Sequence, residues 1–427
     1  MRSTRRRLTP AAVLLAVAAT TVGLTAPSYA AGDTFKVPAK ATVVVKGHGY
    51  GHGHGMSQYG AEGAARQGLG YRDIAKFYYQ GTSWGETKGA VSVHLSVNTS
   101  NAVVVLPRQG LAVRDLVARQ RTVLPDNGAT RWRLAPGPKG GTRIGYRAGG
   151  KWHAFATAKG AAQFAAHGQP ITLMTSLGER PYRGRLRSVA PDPGTNSRDT
   201  VNLLSMENYV KGVVPLEMPA LWSADAVRTQ AVAARTYAAY ERDHPISDDY
   251  QICDTGACQV YGGVAAEHPA SNAAVDATRH EVLTADGEPA FTQFGASSGG
   301  WTSAGSVPYL GARQDPYDGW GGNPVHSWKV SLSDATLEQA WPAIGNLRRI
   351  VVTSRDGNGD WGGRLQSLVL VGSDGRVPVS GDTFRAVLGL RSTWATFKVN
   401  RTSVARPARG SAGVDWSLLA ADLAGGR

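Results

Sequence analysis

The run Ser223–Tyr237 leaves the chain little conformational choice. Ser223 is a good N-cap and Asp225 places negative charge in the first turn. Val227, Ala231, Ala234 and Ala238 recur at i, i+4, i+7 and i+11, which is one small-residue stripe on a helix. Gln230 and Arg235 lie roughly 140° apart on that helix and so occupy neighbouring faces. An arginine in so alanine-rich a helix is either an exposed charge or a buried one that requires an anionic or polar partner. The preceding stretch, Tyr209–Pro219, reads as an apolar, strand-like run with Glu217 set between Leu216 and Met218-Pro219. Burial of that carboxylate in apolar company favours its protonated form. A carboxylic acid that keeps its proton near neutral pH is what general-acid chemistry requires.

A second constrained stretch is Gly47-His48-Gly49-Tyr50-Gly51-His52-Gly53-His54-Gly55-Met56-Ser57-Gln58. Alternate glycines let the backbone approach another chain closely. An extended conformation would set the intervening side chains on one face. Helices are expected at 57–67 and 71–79, stopped by Gly68 and Gly81. His48, His52 and His54 have a spacing that invites a zinc reading.

The 427 residues are 42% hydrophobic, enough for a sizeable core in two lobes. Residues 1–30 read as a signal peptide: Arg2, Arg5, Arg6 and Arg7, an apolar core from Ala11 to Leu24, then Ser28-Tyr29-Ala30. The apolar run is short for a membrane span and no later segment qualifies, so a secreted or wall-located protein is expected, without a transmembrane segment after cleavage. The formal charge of +14, less those four arginines, leaves about +10, which favours anionic polymers. No nucleic-acid module is recognisable, so DNA and RNA are not expected partners. Cys253 and Cys258 are the only cysteines, and in an oxidising compartment a short-loop disulfide is the default, since a metal site needs more ligands. Between 90 and 200 short alternating strands separated by Gly, Pro and Asn turns suggest an all-β lobe, with Trp132 and Trp152 as core or glycan-facing aromatics. A helix and turn are expected over 273–283 and a strand over 289–294, leading into the Ser297–Thr302 loop. Asp356–Asp360 reads as a hairpin turn, because Trp361 and Ser367 break the calcium-loop pattern. The tail after Arg401 is Arg/Ala/Gly-rich, with a short helix expected over 414–424.

Several of these stretches together resemble the SpoIID/LytB family of peptidoglycan-processing proteins. The resemblance is carried by Gly212-Val213-Val214-Pro215-Leu216-Glu217-Met218-Pro219 and by the Gln230–Ala238 run. It extends to the Gly/His stretch, to Ser297-Ser298-Gly299-Gly300-Trp301-Thr302, and to Val307–Leu310 and Asp315–Asp318. Only His52 falls on the family's histidine, which argues against zinc at the Gly/His stretch, although some members are reported to hold zinc near the cysteine positions. The resemblance implies an α+β fold, a SpoIID-like catalytic domain with mixed sheet and helices plus an all-β inserted lobe. It implies a lytic transglycosylase that cleaves peptidoglycan glycan strands, those freed of stem peptides among them, with Glu217 as acid/base. It implies substrate contacts from Gln230, Arg235, Ser297, Ser298, Thr302, His52, Ser57 and Gln58, with no cofactor and no metal. A single carboxylate agrees with that chemistry: hydrolytic glycosidases use a pair, whereas an intramolecular attack by the muramyl O6 needs no second acid to position water. The competing reading is a non-catalytic wall-binding protein that enhances a partner amidase, as LytB-type members are linked with doing. A turn-forming role for Asp315 and Asp318 is expected over an assisting catalytic one.

Motif order is unusual. The Gly/His motif closes the domain in the commoner family arrangement and opens it here, while the Val379–Trp394 piece that normally precedes it lies near the C-terminus. A circular permutation is inferred, with residues 43–60 packed beside 393–400. The expected divisions are 1–30 signal, 31–89 the first part of the SpoIID-like domain, 90–200 the all-β lobe, 201–400 the main catalytic region and 401–427 the tail.

Overall fold

The computed structural model describes residues 32–191 and 196–401. The expected signal peptide and the tail helix over 414–424 lie outside the described residues. The fold is α+β, with helices packed on several sheets.

Two helices follow the Gly/His stretch where capping chemistry places them. α1 (Gln58–Arg66) starts at Ser57, whose hydroxyl accepts from the Gly60 amide, and α2 (Tyr71–Tyr78) follows after Gly68. α3 (Met206–Glu217) corrects the strand-like reading of this stretch. Ser205 caps it, Val210, Val213 and Val214 are buried, and Pro215 sits in its last turn. Proline removes an amide hydrogen from the helical ladder, the one that would reach the Lys211 carbonyl; the neighbouring Gly212 carbonyl accepts from the Gly262 amide at 3.1 Å. α4 (Ala224–Asp243) is longer than its apolar stripe suggests and is buried along most of its length. Ser223 makes no side-chain cap; its amide donates to Glu62 Oε2 at 2.8 Å. α5 (Pro269–Ala277) precedes the strand Glu281–Ala285. The strand expected over 289–294 is reduced to two short pieces, Glu288–Pro289 and Phe294–Gly295.

Two β-sheets occupy the region from 90 to 205. The seven-stranded sheet runs in the order Ile252–Cys253, Ala90–His94, Asp199–Ser205, Arg185–Val189, Ala162–Ala165, Ala112–Asp115 and Arg121–Val123. The six-stranded sheet is Lys151–Ala158, Thr142–Ala148, Arg131–Pro136, Val103–Val105, Ile171–Thr175 and Gly178–Tyr182. The boundary expected at 200 falls inside the strand Asp199–Ser205, which feeds directly into α3. One apolar core, including Val91, Phe164, Leu186, Tyr209, Val213 and Val232, joins these sheets to α1 through α5. Trp132 is part of it, whereas Trp152 is half-buried under Arg133.

A second core, with Val43, Val45, Ile350, Leu368, Phe384 and Phe397, lies under α6 (Asp334–Ala340), α7 (Gly381–Val387) and the remaining strands. Its central strand, Ala41–His48, is flanked antiparallel by Ser327–Ser333 and by Ala395–Arg401. Val43 faces Val399 and Gly47 faces Ala395. The two distant ends of the described chain therefore pack as the motif order suggested. Asp356–Asp360 lies in the hairpin joining Leu347–Arg355 to Leu365–Gly372.

The Gly/His stretch beyond His48 is not extended. Gly49, Gly51, Gly53 and Gly55 all have positive φ, between 67° and 110°, so the chain coils instead of presenting one row of side chains. A side chain on Gly49 would stand 2.7 Å from the Ser297 carbonyl oxygen, and one on Gly55 2.0 Å from that of Gln293. Only glycine meets both the conformation and the approach.

Candidate functional site

Two backbone exchanges bind the Gly/His turns to the serine loop. Tyr50 N–H donates to the Ser297 carbonyl at 2.9 Å and Ser297 N–H returns the bond to Tyr50 at 3.1 Å. Ser303 N–H donates to the Gly53 carbonyl at 2.7 Å. Alongside this seam stands the C-terminal end of α3.

Glu217 is the last residue of α3 and remains partly open to solvent. Its Oε1 accepts the Val260 amide at 2.9 Å, and the Gln58 side chain hydrogen-bonds the same carboxyl. Burial pushes its pKa above the ordinary carboxylate value, against the opposing pull of those two donors. A helix C-terminus adds no compensating positive field. Val260 is itself held by covalent chemistry. The Cys253–Cys258 disulfide, Cα–Cα 5.5 Å, closes the turn just before it, and Gln259 N–H₂ donates to the Ala234 carbonyl of α4. Tyr209, one face of α3 inward, donates its hydroxyl to Gln259 Oε1 at 3.1 Å.

Around the carboxyl is a partly exposed apolar rim. Leu216, Leu221 and Val260 are exposed at 41%, 77% and 38%. The Tyr59 ring packs tilted against Trp222 at 4.9 Å between centroids, and Trp320 lies 6.3 Å from Tyr59 and 6.5 Å from Trp222. A cluster of half-buried rings of this kind suits the apolar faces of sugars. Sequence reasoning missed Tyr59, Trp222 and Trp320; their aromatic character was visible, but their convergence from α1, the α3–α4 turn and a distant loop was not.

The expected contact residues fare differently. Gln58 links Glu217 to Gln230, donating to Gln230 Oε1 at 3.3 Å, and Gln230 is completely buried. His52 keeps appreciable exposure; its Nδ1 accepts the His54 amide at 2.9 Å. Burial first, then His54, Arg385 and Arg364, push His52 down to about 4, so it is neutral at physiological pH. Arg235 corrects the expectation of a substrate contact. It is wholly buried, and its guanidinium forks onto Glu207 at 3.1 and 2.8 Å while also reaching the Val275 and Glu281 carbonyls. It fastens α4 to α3.

The serine-loop hydroxyls likewise point inward. Ser297 Oγ donates to Asp318 at 2.8 Å, Ser298 Oγ to Asp315 at 2.8 Å, and Thr302 Oγ1 to the Gly311 carbonyl at 3.0 Å. Ser57 Oγ donates to Asp318 Oδ1 at 2.6 Å while capping α1. Each of these hydroxyls is buried and spoken for by a partner inside the protein. Asp315 and Asp318 are therefore more than turn residues: they hold the loop. Burial and then the Asp318 charge push Asp315 up to about 6. Burial also opposes ionisation of Asp318, but hydrogen bonds from His326, Ser57 and Ser297 outweigh it and hold that carboxyl below its ordinary value. His326 is raised in return by its 2.8 Å bond to Asp318. Consecutive residues at the head of α1 thus serve two carboxyls, Ser57 on Asp318 and Gln58 on Glu217.

Among the described residues no group of three or more His, Cys, Asp and Glu is placed to hold a metal ion, and no helix is long and apolar enough to cross a membrane.

A mixed α+β scaffold with one partly open glutamate of raised pKa at a helix C-terminus defines a candidate acid/base site. The segment that builds it, residues 195–284, matches the SpoIID family model, described as stage II sporulation protein. The chain is 44% identical over 150 residues to stage II sporulation protein D of Bacillus amyloliquefaciens, covering 29% of this chain and 42% of that protein. It is 38% identical over 135 residues to the amidase enhancer of Bacillus subtilis, covering 30% of this chain and 17% of that one. A further match, 38% over 140 residues, is to an uncharacterized protein of Brachyspira hyodysenteriae, of which 36% is covered. Through this segment the chain is similar to the SpoIID family; it spans less than half the length of these curated relatives.

Proposed function

We propose that this protein is a secreted, wall-located lytic transglycosylase acting on peptidoglycan glycan strands, with Glu217 as its single acid/base. The observation that carries the reading is the Glu217 carboxyl itself: partly solvent-accessible, raised in pKa by burial, and aimed by the Val260 amide and Gln58. The protonated acid donates to the glycosidic oxygen as the bond from that oxygen to the anomeric carbon breaks. The muramyl O6 of the same sugar then attacks the anomeric carbon and gives its proton to the Glu217 carboxylate, which restores the acid and leaves a 1,6-anhydro ring. The nucleophile is tethered, so proximity supplies much of the rate and no second carboxyl must orient water. Tyr59, Trp222 and Trp320 stack on sugar faces, and neutral His52 offers a hydrogen-bonding partner at the glycan.

Mass spectrometry of glycan strands freed of stem peptides tests this. Wild type is expected to yield ends one water lighter than hydrolysis would, and Glu217→Gln to slow their formation at least ~100-fold. Equal yields from both proteins, or none from either, would remove the assignment.

The relative named amidase enhancer supports a second reading, a non-catalytic wall-binding protein that raises the activity of a partner amidase. Binding to purified walls that is indifferent to Glu217→Gln, with amidase stimulation and no glycan cleavage, would select it.

A further inference from the structure

The seven-stranded sheet carries a basic trough that the Glu217 site does not use. A cavity of about 590 Å³ lies against one face of it, lined by Arg114, Arg121, Gln163, His167 and Arg185. Strand register explains the clustering. Arg121 is paired with Arg114, Arg114 with Gln163, and Gln163 with Arg187 across four neighbouring strands. Residues directly opposite one another share a face, so these side chains form one lateral row. The adjacent row on that face, Ala112, Ala165 and Arg185, is small enough at two positions to leave depth. Arg121 Nη2 lies 2.6 Å from His167 Nε2, and Arg187 donates to Gln163 at 3.3 Å. Among the described residues none of Arg114, Arg121, Arg185 and Arg187 makes an ion pair within 4 Å of a carboxylate, and no acid lines the cavity. Asp249 is a counter-charge that acts on Arg187 at the edge.

Like charges directly opposite on a sheet destabilise it. An arrangement that places Arg121 opposite Arg114, with Arg185 and Arg187 beside them, is relieved by a bound anion, and guanidinium forks match phosphate oxygens two at a time. The row spans two to three strand spacings, roughly 10–14 Å, which exceeds one phosphate group and suits a chain of them. No Phe, Tyr or Trp lines the cavity, and its one ring, His167, is engaged by Arg121, which favours a polyol backbone over single-stranded nucleic acid. Leu204 and Ser205, at the head of α3, also line the trough, whereas Glu217 ends that helix. Twelve residues of α-helix separate the two by about 18 Å.

We propose that this trough is a binding site for a phosphodiester-linked polyol polymer, held by Arg114, Arg121 and Arg185 with Arg187 at its edge, which anchors the protein at a distance from the Glu217 carboxyl. The site stands independently of what Glu217 does.

Titration of the full chain with a glycerol phosphate oligomer tests the proposal, with Arg114→Gln/Arg121→Gln as the variant and Glu217→Gln as the control. The expected result is binding that weakens with salt, drops at least ~10-fold in the double variant and is unchanged in the control. Absence of binding, or binding that the double variant retains, overturns it. A single-stranded oligonucleotide of equal phosphate number that binds as tightly through the same arginines overturns the polyol assignment. Thermal melting at low salt gives a second readout. The double variant is expected to melt no lower than wild type, and the oligomer to raise the wild-type midpoint; a lowered midpoint in the variant would make the arginines structural and sink the site.

Discussion

Glu217 illustrates how one side chain can couple stability to chemistry. Its folded pKa lies above the unfolded value, so the native state binds more protons in that window and stability falls as pH rises through it. Glu217→Gln removes the term. The variant is therefore expected to gain thermal stability over wild type near pH 7 and to lose that advantage near pH 4, as melting at both pH values would show. Asp315 carries the same sign over a defined window. With its carboxyl pushed up to about 6 from 3.8, the native state loses on the order of 2–3 kcal/mol between roughly pH 4 and pH 6 through this group. His326 has the opposite protonation chemistry but the same slope: raised by Asp318, it contributes stability fully below its unfolded pKa and loses it as pH rises through the folded one. Asp315→Asn is expected to flatten the decline from pH 4 to 6 in chemical denaturation, provided the amide keeps its place beside Tyr78 and Ser298. A steeper decline in that variant would mean that Asp315 is not the group responsible.

At the scale of elements, the site depends on α3 keeping its angle to α4. The buried Arg235–Glu207 fork is the clasp, and removing one partner strands the other charge in apolar surroundings. Arg235→Met is expected to cost about 3–5 kcal/mol in urea unfolding, with a large part regained in the Glu207→Gln/Arg235→Met pair. The disulfide turn is a second clasp. Cys253→Ser/Cys258→Ser should lower stability by about 2 kcal/mol and, by loosening Val260, reduce glycan cleavage more than it reduces glycan binding. How much of this was legible beforehand follows from what sequence encodes. α1, α2 and α4 were readable because capping residues and apolar spacing are local signals. α3 misled because Val213-Val214-Pro215 has strand-like composition, whereas the burial of Val210, Val213 and Val214 in the core and the close approach of Gly212 to Tyr261 belong to the tertiary fold. The Ser297–Thr302 loop was visible, but the direction of its hydroxyls is set by Asp315 and Asp318, whose three-dimensional position no local pattern states. Arg235 was correctly a residue in need of a partner; that the partner is Glu207, not a ligand, required the fold.

For the whole molecule, the organising feature is the sheet in which Ala41–His48 lies between Ser327–Ser333 and Ala395–Arg401. It fixes the Gly/His turns that follow His48: His48 N–H donates to the Trp394 carbonyl at 3.0 Å, Ser392 Oγ to the His48 carbonyl at 2.5 Å and Gly51 N–H to Arg391 at 2.9 Å. Truncation before Ala395 deletes buried Phe397 and one of the two neighbours of that strand. Loss of the phenylalanine alone costs about 3 kcal/mol or more, and hydrogen exchange is expected to report lost protection at alternate amides of 41–48 while the strands around Phe164 stay protected. The trough and the Glu217 cleft lie in the other core, so polymer binding by the arginines should survive this truncation better than glycan cleavage does.

That same three-stranded sheet imposes a timetable on biosynthesis. A ribosome releases Ala41–His48 among the first described residues and Ala395–Arg401 as the last, so the middle strand is without its final neighbour until that late segment is made. Until that late segment docks, the glycine-rich turns lack their tether, Gln58 has no settled place from which to reach Glu217, and the cleft is unassembled. Whatever reaction the glutamate performs is in this way deferred until Ala395–Arg401 has been made and has docked.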